Sequence, residues 1–311
     1  IAAYIDAARR EGRVMKELAT PSTGHFIAPA VLRVSSIADL EGEIFGPVLH
    51  VAPFKAQDIE AVTRAINASG YGLTFGLHTR IGDRVQQIVD QLKAGNIYVN
   101  RNQIGAVVGS QPFGGEGLSG TGPKAGGPHY VRRLTAAKSQ AKSPNSEAPE
   151  AAPVALAELQ AAIDALALED GMSANVTLDL PGPTGESNRL SAFPRGRILC
   201  AGPGAAYAGQ QAAEARAMGC KALMIAPGVG DGLDGSLPAE ALGQLEGFAA
   251  VACWGDEEMQ RAFRRTLASR EGPLIPLICE SGEEIRYCVE RHICIDTTAS
   301  GGNAALLTAS G

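Results

Sequence analysis

Apolar and polar positions alternate between a helical and a strand period along the first 135 residues. Apolar side chains at helical spacing predict three helices, over residues 1–14, 56–69 and 83–94. In the second of these, Asp58 is placed to cap the start and Gly70 to end the helix. Short apolar runs predict strands over 73–78 and 96–100. This alternation of helices and strands predicts an α/β layered fold.

Residues 139–153 are rich in proline and small polar residues and have no periodicity, which is typical of a solvated connector. After this segment the pattern predicts a helix, a strand that ends in a glycine turn, a second helix and a second strand, over 154–168, 196–204, 208–218 and 222–226. The last three of these elements form a Rossmann-type unit. We therefore predict one domain over residues 1–138, a linker over 139–153 and a Rossmann-like α/β domain over 154–311.

Two stretches, 91–105 and 289–301, share a short strand followed by polar residues and glycine. An internal duplication explains this similarity, and so does chance likeness between short apolar strands. The sequence leaves both explanations open.

Composition and charge narrow the classes of function. The chain has 311 residues, a formal net charge of −6 and a pI near 5.5, so it carries no basic field for nucleic acid, and we expect a small-molecule ligand instead. No apolar run reaches the length of a membrane span, and residues 1–10 do not have the organisation of a signal peptide. We expect a cytoplasmic protein. The six cysteines contain no Cys-x-x-Cys pair and the five histidines are scattered, so we expect buried inert thiols and no metal site.

The segment Glu43-Ile-Phe-Gly-Pro-Val48 combines a carboxylate, an aromatic ring and a turn-forming Gly-Pro pair. A carboxylate is a natural acceptor for two ribose hydroxyls, and an aromatic residue two positions later in an extended segment projects from the same side. Glu43 and Phe45 therefore suit the edge of a nicotinamide pocket. The alternative is a surface glutamate and a core phenylalanine in an ordinary turn.

A later glycine-rich run, Gln111-Pro-Phe-Gly-Gly-Glu-Gly-Leu-Ser-Gly-Thr-Gly122, allows the backbone to approach a ligand closely. Together with Glu43–Val48, Gly72–His78 and Gly95–Asn102, it resembles the carboxy-terminal part of an aldehyde dehydrogenase catalytic domain, over residues 1–135. Residues 100–115 and 120–130 are most similar to the glutamate-γ-semialdehyde (pyrroline-5-carboxylate) dehydrogenases. Among these, they most resemble the form that is fused into the bifunctional proline utilisation A flavoenzymes.

The resemblance implies a set of roles. Glu43 would hold the nicotinamide ribose of NAD, and Phe45 would pack beside the nicotinamide. Backbone N–H groups of the loop with Gly105 and Ala106 would bind the α-carboxylate of L-glutamate-γ-semialdehyde, and Phe113 would lie against its aliphatic part. Glycine lets a loop turn its amides toward an anion, although a tight apolar loop is the other interpretation of residues 105–109. FAD is expected only in a proline dehydrogenase part outside this chain.

The resemblance also implies that the cysteine nucleophile and the general-base glutamate lie upstream of Ile1. No cysteine of this chain stands in a matching context, so we assign no catalytic residue and expect a fragment that is inactive alone. The second half resembles a non-catalytic aldehyde-dehydrogenase-like module that packs on the dehydrogenase of relatives. Gly202-Pro-Gly204 lacks a third spaced glycine, and its proline removes an amide donor, so we favour a structural turn over a dinucleotide site.

Two rival functions remain from the sequence. In the first, the chain is a non-catalytic binding or scaffold module derived from an aldehyde dehydrogenase. In the second, the parent protein is a dehydrogenase for another aldehyde. The expected partners are the semialdehyde and the remainder of the parent polypeptide. A homo-oligomer and a peripheral membrane association of the parent are both compatible with the sequence.

Overall fold

The computed structural model describes residues 1–103, 106–135, 151–168 and 173–298. The chain divides into two compact units, Ile1–Ser69 and Gly70–Gly311. The smaller unit contains, in chain order, α1 (Ala2–Arg10), β1 (Val14–Glu17), β2 (Ala30–Arg33), β3 (Val48–Val51) and α2 (Ile59–Ala68). β2 pairs antiparallel with β1 and parallel with β3, and Leu32 and Ala30 of β2 pack with Ile5 and Ala8 of α1.

Two predicted features of this unit need correction. The helix predicted over 1–14 ends at Arg10, and Val14 already begins β1. Gly12, at φ +70°, explains the early end, because a left-handed residue cannot continue the helix. Asp58 does occupy the cap position of α2, but its side chain makes no capping hydrogen bond.

The larger unit contains a five-stranded sheet in the part of the chain that the structure describes. Its elements from the first half of the chain are β4 (Tyr71–Gly72), β5 (Thr74–Leu77), α3 (Gly82–Gln91), β6 (Asn96–Val99) and β7 (Glu116–Gly117). Those from the second half are α4 (Leu156–Ala165), β8 (Val176–Leu180), β9 (Glu186–Pro194), β10 (Arg197–Cys200), α5 (Ala205–Ala217), β11 (Lys221–Met224), β12 (Ala250–Ala252), α6 (Glu257–Ala268), β13 (Leu277–Ile278) and β14 (Cys288–Asp296).

The five-stranded sheet combines strands from both halves of the sequence in the order β5-β6-β14-β9-β8. β6 pairs parallel with β5 on one side and with β14 on the other, and β14, β9 and β8 continue antiparallel. All four residues of β6 are buried, as expected of a strand inside a sheet. The two strands of the suggested repeat, β6 and β14, are therefore neighbours in one sheet. An internal duplication remains one of two open explanations for their similarity.

A separate parallel sheet confirms the predicted Rossmann-type unit. Its described strands run in the order β11-β10-β12-β13, with α5 linking β10 to β11. Side chains of β10 alternate between two cores: Leu199 packs with α4 and α6, and Ile198 and Cys200 pack with α5. The sheet thus carries helices on both faces, and the α/β fold class is confirmed. The linker predicted at 139–153 falls largely on residues outside the description, so the domain boundaries stay a prediction.

Helices of the described ranges fall short of the length and apolarity needed to cross a bilayer.

Candidate functional site

The predicted cofactor residues lie in the irregular segment that leads into β3. The Gly46 amide donates to the Ile44 carbonyl at 2.8 Å, and the Val48 amide donates to the Gly46 carbonyl at 2.8 Å. These tight turns leave Glu43 exposed and Phe45 88% exposed. Within this chain Phe45 is therefore not packed in a core. An exposed aromatic ring beside an exposed carboxylate is an arrangement that a ligand can cover.

The predicted substrate loop begins where β6 ends. Asn100 adopts φ +58°, a conformation that asparagine tolerates better than most residues, and the chain turns out of the sheet there. The turn is held by two hydrogen bonds: the Asn100 amide donates to the Leu77 carbonyl at 2.8 Å, and the Asn100 side-chain oxygen accepts from the Thr79 amide at 2.9 Å. The loop therefore leaves the sheet from a fixed point.

The loop itself presents an exposed apolar tip. Ala106 is exposed, and Val108 is 85% exposed. The Gln111 amide donates to the Val107 carbonyl at 2.7 Å, and the Gly109 amide donates to the Gly126 carbonyl at 2.9 Å. The predicted anchor Gly105 lies outside the described residues, as does Ile104.

Phe113, the predicted wall of the aliphatic substrate chain, is half-buried after the loop. Its amide donates to the Ala125 carbonyl at 2.9 Å, and the Ala125 amide donates back to the Phe113 carbonyl at 2.8 Å. Next to it, the buried Lys124 ammonium donates to Asn96 Oδ1 at 2.9 Å and to the Gly114 carbonyl. Burial lowers the pKa of Lys124 to about 8. Gly95 is needed beside this turn, because a Cβ there would lie 2.0 Å from the Gly114 carbonyl oxygen.

Sequence analysis missed a side-chain cluster that joins the two ends of the loop. Arg101 Nη1 donates to Glu186 Oε2 at 2.8 Å, and Gln111 Nε2 donates to Glu186 Oε1 at 2.9 Å. Arg101 and Gln111 flank residues 102–110, while Glu186 belongs to β9. No local signal could have revealed this cluster, because Glu186 lies 85 positions from Arg101 and 75 from Gln111 in sequence.

The cysteines lack the surroundings of a nucleophile. Five are buried and Cys279 is partly buried, and all six are free thiols. Burial raises the pKa of Cys294, the cysteine nearest the loop, to about 11, and it raises the pKa of Cys200 and Cys253 to about 12. A thiol with a raised pKa supplies little thiolate at neutral pH. Among the described residues, no group of three histidine, cysteine or carboxylate side chains is placed to hold a metal ion.

The turn Gly202–Gly204, which follows β10, is hydrogen-bonded to residues that lie later in the chain. The Gly202 carbonyl accepts from Gln211 Nε2 at 3.2 Å and from the Trp254 amide at 3.4 Å. The Trp254 ring is buried and meets Tyr207 of α5 edge-on at 6.3 Å between ring centroids. Indole, amide and helix side chains thus pack where β10 and β12 diverge, which is the position at which α/β sheets usually bind ligands.

Comparison with known proteins relates both halves of the chain to one group. The aldehyde dehydrogenase family profile matches residues 1–140. The bifunctional protein PutA of Rhizobium meliloti is 37% identical over 343 residues, which cover 98% of this chain and 27% of that protein. The 1-pyrroline-5-carboxylate dehydrogenase 1 of Halalkalibacterium halodurans is 42% identical over 139 residues, which cover 42% of this chain and 26% of that enzyme.

A solved structure extends the likeness of fold beyond the first 140 residues. Proline utilization A from Corynebacterium freiburgense superposes with a TM-score of 0.55 over 87% of this chain and 27% of its own, at 21% identity. The chain spans about a quarter of the length of the relatives that it matches. The aldehyde dehydrogenase family profile thus matches the first 140 residues, and the chain is similar over nearly all of its length to the PutA proteins.

Proposed function

We propose that this chain is part of an NAD-dependent L-glutamate-γ-semialdehyde dehydrogenase, which oxidises the semialdehyde to glutamate as the second step of proline catabolism. In this proposal the parent is a bifunctional protein of the proline utilisation A type. The observation that carries it is the similarity to the PutA protein of Rhizobium meliloti over 98% of the chain. The similarity of the first half to a 1-pyrroline-5-carboxylate dehydrogenase supports the same reaction.

Glu43 and Phe45 are the residues proposed to hold NAD. Both are exposed on one short segment, and an uncovered phenylalanine ring is a surface against which the flat nicotinamide ring can pack. The Glu43 carboxylate would accept hydrogen bonds from the adjacent ribose hydroxyls. NAD, when bound, supplies the acceptor for the hydride that leaves the aldehyde carbon. These residues fit the cofactor because a carboxylate and an apolar face are the two groups that its nicotinamide half needs.

Gly105, Ala106 and Phe113 are the residues proposed to hold the semialdehyde. Backbone N–H groups of the loop would bind the α-carboxylate, as successive amides do in anion-binding nests. The half-buried Phe113 ring, fixed by its paired backbone bonds to Ala125, would cover the methylene chain. The reacting carbon would then be oriented by contacts at the opposite end of the substrate.

The nucleophilic cysteine and the general-base glutamate of the proposed reaction lie outside these 311 residues. The raised pKa values of the buried cysteines support this part of the proposal. The isolated chain is then inactive, FAD belongs to another part of the parent, and the rest of the parent is the main partner. A cytoplasmic location completes the proposal.

The complete parent protein tests this function. It should form NADH from L-glutamate-γ-semialdehyde, and Glu43→Ala should lower the rate at subsaturating NAD by about tenfold or more, because a charge-assisted hydrogen bond is lost. Exposed Glu41→Ala, two residues away, is a matched control that should leave the rate within about twofold. No NADH from the semialdehyde would reject the proposed activity, and an unchanged rate in Glu43→Ala would reject the assigned role of that residue.

A further inference from the structure

One carboxylate on β9 holds both ends of the proposed substrate loop. Glu186 Oε2 accepts from Arg101 Nη1 at 2.8 Å, and Glu186 Oε1 accepts from Gln111 Nε2 at 2.9 Å. Arg101 is the second residue after β6, and Gln111 is the last residue before Pro112 and Phe113. The segment between them, 102–110, contains the proposed carboxylate anchor.

The Glu186 carboxylate is itself held in place. Asn188 Nδ2 donates to Glu186 Oε1 at 2.8 Å. The preceding carbonyl, that of Gly185, accepts from both the amide and the hydroxyl of Thr297 at 2.8 Å. This pair of bonds ties the beginning of β9 to the chain that follows β14 and fixes where the Glu186 side chain starts.

Strand pairing then connects Glu186 to the root of the loop. β9 pairs with β14 along nine residues, with Glu186 opposite Asp296, and β14 pairs parallel with β6, with Ile295 opposite Val99. The loop leaves β6 directly after Val99. Glu186 and the loop root are therefore positioned by one continuous hydrogen-bonded sheet rather than by flexible segments.

The Arg101–Glu186 pair is largely shielded from solvent. The two side chains are only 19% and 17% exposed. Arg101 Nη1 also lies 3.1 Å from Cys294 Sγ, and its guanidinium stacks over the Tyr98 ring at 5.4 Å. A buried ion pair adds little net stability, but it specifies geometry, since removing one partner leaves an uncompensated charge. Such a pair suits the task of holding a loop in one conformation.

We infer that Glu186 is a positioning residue for substrate recognition: through Arg101 and Gln111 it fixes the two ends of the segment that carries the proposed anchor for the α-carboxylate of the aldehyde. This inference rests on the proposed function of the loop. It assigns a role in substrate specificity to a residue of the segment that was predicted to be non-catalytic. Glu186 acts through Arg101 and Gln111 and does not itself touch the substrate.

The test is a comparison of two aldehydes in the complete parent protein. Glu186→Gln should raise KM for L-glutamate-γ-semialdehyde about tenfold, with kcat within about twofold, because the two ends of the anchor segment are no longer held by one carboxylate. KM for pentanal, which lacks the carboxylate, should stay within about twofold. Gln111→Met removes the second donor without a change of charge; it should raise the same KM less, and it measures the effect independently if Glu186→Gln does not fold.

A matched control is available on the same sheet. Arg291 of β14 donates to both oxygens of Glu116 at 2.9 and 3.2 Å, and this pair is as shielded as Arg101–Glu186. Arg291→Gln breaks an ion pair of similar burial away from the loop and should leave the ratio of the two KM values unchanged. Hydrogen exchange of the 102–110 amides should become faster in Glu186→Gln and not in Arg291→Gln.

Each outcome separates this inference from the proposed function. A wild-type protein that forms no NADH from the semialdehyde rejects the proposed function, while loop exchange still measures the positioning by Glu186. A wild-type protein that is active, combined with equal KM changes for both aldehydes in Glu186→Gln, overturns the inference alone. A lower KM for the semialdehyde in Glu186→Gln also overturns it. In that case Arg101, released from Glu186, would itself bind the α-carboxylate of the substrate.

Discussion

Two glycine-containing turns that follow parallel strands differ in what surrounds them. In the turn after β10, at Gly202–Gly204, the Gly202 carbonyl accepts from the Gln211 side chain and from the amide of the buried Trp254. The loop after β6 is fastened at its two ends and presents an exposed apolar tip at Val107 and Val108. A strand followed by glycine therefore does not by itself make a ligand site. The two segments differ in exposure: the turn is bonded to the buried residues Gln211 and Trp254, whereas the loop presents two exposed valines.

The largest expected effect is at Trp254, whose amide bonds the turn after β10. Trp254→Ala removes a buried indole at the divergence of β10 and β12 and should lower the free energy of unfolding by about 3–5 kcal/mol. KM for NAD should be unchanged, because this turn is structural. Urea unfolding and NADH kinetics measure the two quantities, and a raised KM for NAD in a folded variant would show that the comparison is wrong.

Two glycine-to-alanine changes sharpen the comparison. Gly202 has φ +52°, and a Cβ there would lie 2.6 Å from the Gly204 nitrogen, so Gly202→Ala should cost about 2–4 kcal/mol from both strain and crowding. Gly109 has φ +83° with open space around it, so Gly109→Ala should cost only about 1–2 kcal/mol of backbone strain. Equal losses in urea unfolding would indicate that the loop is packed as closely as the turn.

The buried Lys124, which precedes the backbone partner of Phe113, should make the stability of this region depend on pH. Burial lowers its folded-state pKa to about 8 from 10.5, so the unfolded chain binds more protons between these pH values. The free energy of unfolding should therefore rise as pH increases from about 8 to 10.5, by roughly 2–3 kcal/mol. Lys124→Met should lack this rise, and a parallel pH profile in the two proteins would contradict the burial argument.

The smallest effect on stability is expected at Phe45. Because its ring is 88% exposed, Phe45→Ala should change the free energy of unfolding by less than about 0.5 kcal/mol. KM for NAD should nevertheless rise in the complete protein, since the ring is proposed to pack beside nicotinamide. A large loss of stability with an unchanged KM would reassign Phe45 to structure.

The sequence predicted the elements that have strong local patterns. Apolar runs identified β6 and β10, and helical spacing identified α2 and α3. Strand β9 was missed because buried polar residues such as Asn188 and Ser191 hide its apolar face, and its stability comes from pairing with β14. Glu186 was missed for the same reason: its role is set by partners that are distant in sequence, and nothing around it in the chain distinguishes it from a turn residue.

The most direct test of the account concerns the open loop. In the complete parent protein, Gly105→Val should lower kcat/KM for L-glutamate-γ-semialdehyde about tenfold or more while kcat/KM for pentanal stays within about twofold, because a bulky β-branched residue restricts the backbone of the proposed anchor. The ratio of the two values is the quantity to measure. A selective fall for the carboxylated substrate is the predicted result, and equal losses for both aldehydes would contradict the claim that this loop binds the α-carboxylate.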